Sequence, residues 1–179
     1  MNVLAFGAST STTSINKTLA NYTANLITNA TVELLDLNDY ELPLFSENKE
    51  NEIGRPANAQ AFFDKIGNSD ILVISFAEHN GSYTAAYKNL FDWCSRIDQK
   101  VFQNKPMILL ATSPGAGGAK SVLSAANNSA SYFSGHPVAA ISVPLFYEKF
   151  DSIAGVVTDE KLVIALTDAA ILALQAAAK

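Results

Sequence analysis

A chain of 179 residues, 49% hydrophobic and only 16% charged, can bury one sizeable core and is too apolar to be a solvated tail. Its net charge of −5 and pI near 4.9 exclude general nucleic-acid binding, which needs clustered lysine and arginine to displace counterions. A single cysteine, Cys94, excludes a disulfide framework and any CxxC pair, and two distant histidines, His79 and His136, argue against a metal site. Met1 leads at once into Val3-Leu4-Ala5-Phe6 with no basic segment before it. No apolar stretch reaches the roughly 18 residues of a membrane span. The expectation is a cytoplasmic protein with no membrane span.

The first apolar run, Val3 to Phe6, reads as a buried strand, and Ile15, Leu19, Tyr22 and Leu26 then share one helix face. Val32 to Leu37 is a weaker strand, interrupted by Glu33 and Asp36, which suits a sheet edge. From about Asn38 to Gly54 the chain reads as an irregular surface excursion rather than a linker. Pro56 suits a first helical turn, Phe62, Phe63 and Ile66 give the helix its apolar contact, and Gly67-Asn68 ends it. Ile71 to Phe76 is the third strand, followed by a helical stripe of Tyr83, Tyr87, Leu90 and Cys94 widened by Phe91. Cys94 on that stripe reads as a buried, inert thiol, while Asp92 and Trp93 suit either a subunit contact or the helix surface.

Met107 to Ala111 is the fourth strand, and a helix after Gly118 turns Val122, Leu123 and Ala126 inward. Val138 to Val143 is the fifth, and a last helix begins near Asp159 and carries Leu162, Ala165, Leu166, Ala169 and Leu172. Continuous rather than alternating apolar runs belong to strands buried on both faces of a parallel sheet. The chain is therefore read as one α/β domain, residues 1–179, with a doubly wound five-stranded sheet and helices on both faces.

In such a sheet, ligands bind beyond the carboxyl ends of the strands. After the first strand, six hydroxyl residues run in succession from Ser9 to Ser14, before Ile15 and Asn16 open a helix. Helix starts offer unpaired N–H groups and a positive dipole end, so this loop reads as a phosphate site with Ser9, Ser11 and Ser14 as added donors. Neither GxGxxG nor GxxxxGK[ST] is present, which disfavours dinucleotide and P-loop sites. After the third strand, Glu78, His79, Asn80 and Gly81 give the mixed polar edge that a flat heteroaromatic ring needs. After the fourth, Ser113, Gly115, Gly117 and Gly118 let backbone approach a ligand closely. No side chain is singled out as an obligatory acid or base.

These three loops resemble the NADPH-dependent FMN reductase family, flavodoxin-like proteins that include quinone, chromate and azo-dye reductases. Against its opening pattern G-S-x-R-x-x-S-x-N, Ser9, Ser14 and Asn16 match, while Ala8 and Ser11 stand for the glycine and the arginine. Against P-E-Y-N-x-S-x-x-x-x-L-K-N-x-x-D-W, the matches are Glu78, Asn80, Ser82, Lys88, Asn89, Asp92 and Trp93. Ala77, His79 and Tyr87 stand where Pro, Tyr and Leu are usual. Asp36-Leu37, Leu42-Pro43-Leu44-Phe45 and Ser113-Pro114-Gly115 with Gly117-Gly118 look like further family segments. Ser9-x-Ser11-x-x-Ser14 is also similar to the T-x-T-x-x-T spacing of flavodoxins proper.

The resemblance implies strand order 2-1-3-4-5 and non-covalent FMN, with phosphate in the first loop and the ring between the second and third. It further implies NADPH or NADH as donor, a quinone, azo, nitro or metal-oxyanion acceptor in a ping-pong cycle, and a homodimer or homotetramer. A flavodoxin-type electron carrier without nicotinamide turnover is the alternative. A fold that has lost its cofactor and works through protein contacts is a third reading.

Overall fold

All the apolar runs become strands of one parallel sheet. In the computed structural model, which describes residues 1–178, β1 (Asn2–Ala8) is followed by α1 (Ile15–Asn25) and β2 (Thr31–Leu35). A 3-10 turn (Leu37–Tyr40), α2 (Glu47–Ile53) and α3 (Ala57–Gly67) lead to β3 (Ile71–Phe76). A hairpin of β4 (Glu78–His79) and β5 (Ser82–Tyr83) precedes α4 (Ala85–Ser95), β6 (Pro106–Thr112) and α5 (Lys120–Ala130). Then come β7 (His136–Val143), α6 (Phe146–Lys149), the hairpin of β8 (Phe150–Asp151) and β9 (Val156–Val157), and α7 (Glu160–Ala177). The main sheet runs β2-β1-β3-β6-β7 with every pairing parallel, the flavodoxin-like order. As Glu33 and Asp36 imply, β2 is an edge strand.

Alternate residues of the central strands feed two cores, because side chains along a strand point to opposite faces. Leu4, Phe6, Leu72, Ile74 and Leu109 pack with residues of α3, α4 and α5, while Val3, Ala5, Val73, Ile108 and Leu110 pack with α1 and α7. The central strands β1, β3 and β6 are thus covered on both sides, which is why they show no polar alternation.

Four features differ from the sequence reading, each for a local reason. The excursion after β2 is partly helical: Ser46 caps α2 by accepting from the Lys49 N–H, and Glu47 and Glu50 favour its positive end. That helix buries no residue, so it leaves no apolar stripe to read. Pro56 is the N-cap of α3 rather than a residue of its first turn. Tyr83 lies in β5, ahead of α4, because Asn80 and Gly81 both take positive φ (53° and 80°), the pattern of a type I′ hairpin turn. Its strands are only two residues each, too short to show a period.

Trp93 is the fourth difference, lying neither on the surface nor at its edge. It is completely buried; its indole N–H donates to the Pro43 carbonyl at 2.8 Å, and its ring meets Phe45 edge-on at 5.1 Å. One turn earlier, Asn89 donates to the Leu42 and Pro43 carbonyls and accepts from the Phe45 N–H at 2.8 Å. Lys88 and Asp92, four apart, pair across the exposed side of the same helix at 2.7 Å. The family segments at 42–45 and 88–93 are therefore two halves of one clamp, by which α4 holds the excursion against the sheet.

Cys94 is buried as expected, and burial pushes its thiol up to about 12. Native protein should be inert to a disulfide reagent at pH 8 and react fully in urea; reaction of the native thiol within minutes would contradict this burial. Since the unfolded chain releases the proton from pH 9.0 upward and the folded chain keeps it, stability should fall as pH rises from there.

Candidate functional site

The carboxyl ends of β1, β3 and β6 are neighbours, with Ala8 beside Phe76 and Phe76 beside Ala111, so the three loops that follow them share one edge. Buried side chains lock that edge together. Asn16, 3% exposed, donates to the Thr112 carbonyl at 3.2 Å and accepts from the Ser75 hydroxyl at 2.7 Å and the Thr112 N–H at 3.1 Å. Thr84, the N-cap of α4, donates to the Ala8 carbonyl at 2.9 Å. Glu78 accepts from the Val122 N–H at 2.9 Å and so caps α5 with the hairpin. One asparagine, one threonine and one glutamate join all three loops.

The first loop presents backbone rather than charge. Ser9 Oγ accepts from the Ser11 N–H at 3.1 Å, and Ser14, buried, caps α1 by accepting from the Lys17 N–H at 3.2 Å. Ser11 is exposed, with its hydroxyl 3.5 Å from that of Thr13. Among the described residues, the N–H groups of Thr10, Thr12, Thr13, Ile15 and Asn16 have no protein acceptor. Together with the dipole of α1 they are the donors an anion would need. Lys17 is beside them but engaged: its ammonium pairs with Asp36 at 2.6 Å and holds that carboxyl below the usual range. Asn38 steadies the loop from the far side by donating to the Thr10 carbonyl at 3.1 Å.

The third loop divides its glycines by role. A methyl group at Gly115 or Gly117 would meet nothing within 4 Å, and the N–H groups of Gly115, Ala116 and Gly117 donate to no protein atom among the described residues. Gly118 is packed instead: at φ +61°, a Cβ would lie 2.4 Å from Ser142 Oγ and 2.9 Å from the Pro144 nitrogen. Leu145 and Phe146 brace the loop from behind through their N–H groups on the Gly115 and Ser113 carbonyls, and the Ser113 hydroxyl donates to the Gly115 carbonyl at 3.1 Å. Gly118→Ala should therefore cost about 1–3 kcal/mol. Gly117→Ala should leave thermal unfolding unchanged. Equal melting temperatures for the two variants would refute this division.

Several sequence candidates take narrower parts than expected. The Asn16 side chain is spent on the clamp, leaving only its N–H for a ligand, and the Glu78 carboxylate is turned to α5. Asn80 and Gly81 shape the hairpin turn, and His79 is exposed opposite Ser82. Gly118 holds the loop's form rather than an open approach. Ser9, Ser11, Ile15, Ser113, Gly115 and Gly117 stay on the open edge. Thr10, Thr12 and Thr13 join them through their N–H groups, which side-chain chemistry alone would not single out.

The profile of the family described as NADPH-dependent FMN reductase matches residues 1–147, which takes in all three loops and the clamp. The chain belongs to this family of flavin-dependent NAD(P)H oxidoreductases. Among curated relatives, the quinone reductase of Escherichia coli (strain K12) is 33% identical over 81 residues, 45% of this chain and 43% of that protein. The 2-hydroxy-1,4-benzoquinone reductase of Burkholderia sp is 35% identical over 105 residues, 58% of this chain and 55% of that one. The matched segments thus span about half the length of these relatives. Among solved structures, the FerB flavoenzyme NAD(P)H:(acceptor) oxidoreductase from Paracoccus denitrificans superposes with a TM-score of 0.76 at 24% identity, over 99% of this chain and 97% of that one. That likeness carries the fold. Ser11 stands where the resembled opening pattern has arginine, and the free donors at that loop are N–H groups and hydroxyls.

The residues present fit FMN. An uncharged ring of donors at a helix start suits a phosphate dianion, and the open space at Gly115 and Gly117 admits a flat ring close to backbone. No helix among the described residues is long and apolar enough to cross a membrane, and no group of metal-ligating side chains occurs among them.

Proposed function

We propose that residues 1–179 form one FMN-binding domain acting as an oxidoreductase, which uses NADPH or NADH to reduce a quinone-like or other small acceptor. The observation that carries this reading is the row of acceptor-free N–H groups at Thr10, Thr12, Thr13, Ile15 and Asn16, beside two glycines with open space where side chains would be. Membership of the reductase family and the quinone reductase relatives support it. When bound, FMN would supply the two-electron redox chemistry between nicotinamide and acceptor that a ping-pong cycle needs.

The protein's own part is position and polarity. The first loop would hold phosphate by N–H donation, with the hydroxyls of Ser9 and Ser11 on the same loop as added donors. The N–H groups of Gly115, Ala116 and Gly117 offer the positive ends of peptide dipoles to a carbonyl-rich ring edge. Glu78 keeps the hairpin and α5 in step, so the second and third loops form one wall. No side chain at the edge has the buried, partnered setting of a proton-transfer group; His79 is exposed. A homodimer or homotetramer in the cytoplasm belongs to the same reading.

Ser11→Asp tests the phosphate assignment. An added carboxylate should repel the dianion and weaken FMN binding, measured by quenching of flavin fluorescence, by about tenfold or more. Unchanged affinity would remove the loop from the site. Steady oxidation of NADPH or NADH with a naphthoquinone by FMN-loaded protein tests the activity. An FMN-loaded protein that oxidises neither nucleotide would be an electron carrier instead.

A further inference from the structure

Lys17 is the only lysine or arginine before Lys49, and the loops at 9–14, 77–84 and 113–119 carry none. It is the cation nearest in sequence to the row of N–H groups that ends at Asn16. Helical side chains lean toward the N-terminus of their helix, so the Lys17 stem, in the first turn of α1, sets out toward the first loop. Its backbone is fixed: a Cβ on Gly7 would collide with the Lys17 nitrogen and lie 2.8 Å from its Cα. The start of α1 is therefore seated directly on β1, and only the flexible side chain of Lys17 is left to move.

Asp36 draws that side chain aside. It stands just beyond β2 between two buried leucines, Leu35 and Leu37, which set its place. Its Oδ2 accepts from the Lys17 ammonium at 2.6 Å. Its Oδ1 accepts from the N–H and the side-chain amide of Asn38 at 2.9 and 2.7 Å, and that amide also donates to the Thr10 carbonyl at 3.1 Å. One oxygen thus holds the lysine and the other holds the loop. The two partners, Lys17 ahead of Asn38, keep the carboxyl below its usual range and so charged at neutral pH. Resting on the assignment of the first loop to FMN phosphate, we propose that Asp36 is a positioning residue that withholds Lys17 from the phosphate. The flavin is then held by N–H groups and hydroxyls alone, more weakly than this loop allows.

Asp36→Asn separates the two tasks. Asn38 still pins the remaining oxygen, so the new amide nitrogen faces Lys17 and cannot accept from it; the lysine is released while the tie to Thr10 stays. The pair is 30% and 32% exposed, so its loss should cost little stability. Quenching of flavin fluorescence, with FMN and with riboflavin, which lacks the phosphate, reads the result. FMN affinity should rise by about tenfold while riboflavin affinity is unchanged. Raising salt from about 0.05 to about 0.5 M should erase most of the gain, since it screens a lysine on a phosphate. Adding Lys17→Met to Asp36→Asn should return FMN affinity to the parent's. Unchanged or weakened FMN binding in Asp36→Asn, or a gain that survives without Lys17, would overturn the proposal. A parent that binds FMN no more tightly than riboflavin would remove the phosphate assignment and this proposal together. A parent that prefers FMN keeps the assignment, and the Asp36→Asn comparison then stands or falls alone.

Discussion

Replacing Trp93 with alanine is expected to cost about 3–5 kcal/mol of unfolding free energy, read from urea denaturation. The side chain has no exposure to solvent, packs edge-on against Phe45 and donates to the Pro43 carbonyl. Truncation removes all three contributions at once and leaves a cavity under the excursion. Trp93→Phe separates them: most of the packing survives, the Pro43 carbonyl loses its donor, and the cost should be about 1 kcal/mol. In both variants the chain between Leu42 and Gly54 should become cleavable by a protease at concentrations that spare the parent. A Trp93→Ala protein that unfolds like the parent would show that α4 does not hold the excursion.

Asn16→Ala should be nearly as damaging, by about 3–5 kcal/mol, although it removes few atoms. Its partners are Ser75 and Thr112, both essentially buried, and the variant would leave the Thr112 N–H, the Thr112 carbonyl and the Ser75 hydroxyl without acceptor or donor. Burying polar groups unpaired carries their full desolvation cost. The same change should weaken FMN binding even at temperatures where the variant is folded, because the first and third loops are no longer tied. Chemical denaturation and FMN titration of one sample read the two effects. A variant with lost stability but parental FMN affinity would make Asn16 a purely structural residue.

The sheet was readable because burial on both faces leaves runs such as Ile71 to Phe76 continuously apolar, and the edge character of β2 showed in Glu33 and Asp36. The loop before α1 was readable as a capped helix start, since hydroxyls before a helix are a local signal. What escaped was non-local or too short. Nothing near Trp93 says that its indole reaches a carbonyl fifty residues earlier in the chain, so its burial was invisible. Asn16 and Glu78 each looked like ligand residues, yet their side chains are consumed by partners ninety-six and forty-four positions away. Asn80-Gly81 is a strong turn pair, but two-residue strands give no period to confirm it. At this edge, side-chain identity marked the loops, and backbone geometry decided which of their side chains stay free.

The clamp on residues 42–45 has a consequence for how this fold can change. Beyond Phe45 the chain passes through α2, which buries nothing, before Asn58 ties back by donating to the Glu41 carbonyl at 3.1 Å. The segment between is fastened at both ends and, apart from the Glu50–Arg96 ion pair at 2.9 Å, makes no tie to the rest of the fold through a buried side chain. Doubling the length of such a loop costs only about 0.6 kcal/mol of closure entropy. Residues 46–55 are therefore the natural grafting point of the molecule, where a longer insert could be accommodated while the sheet and the three loops at its carboxyl edge stayed as they are.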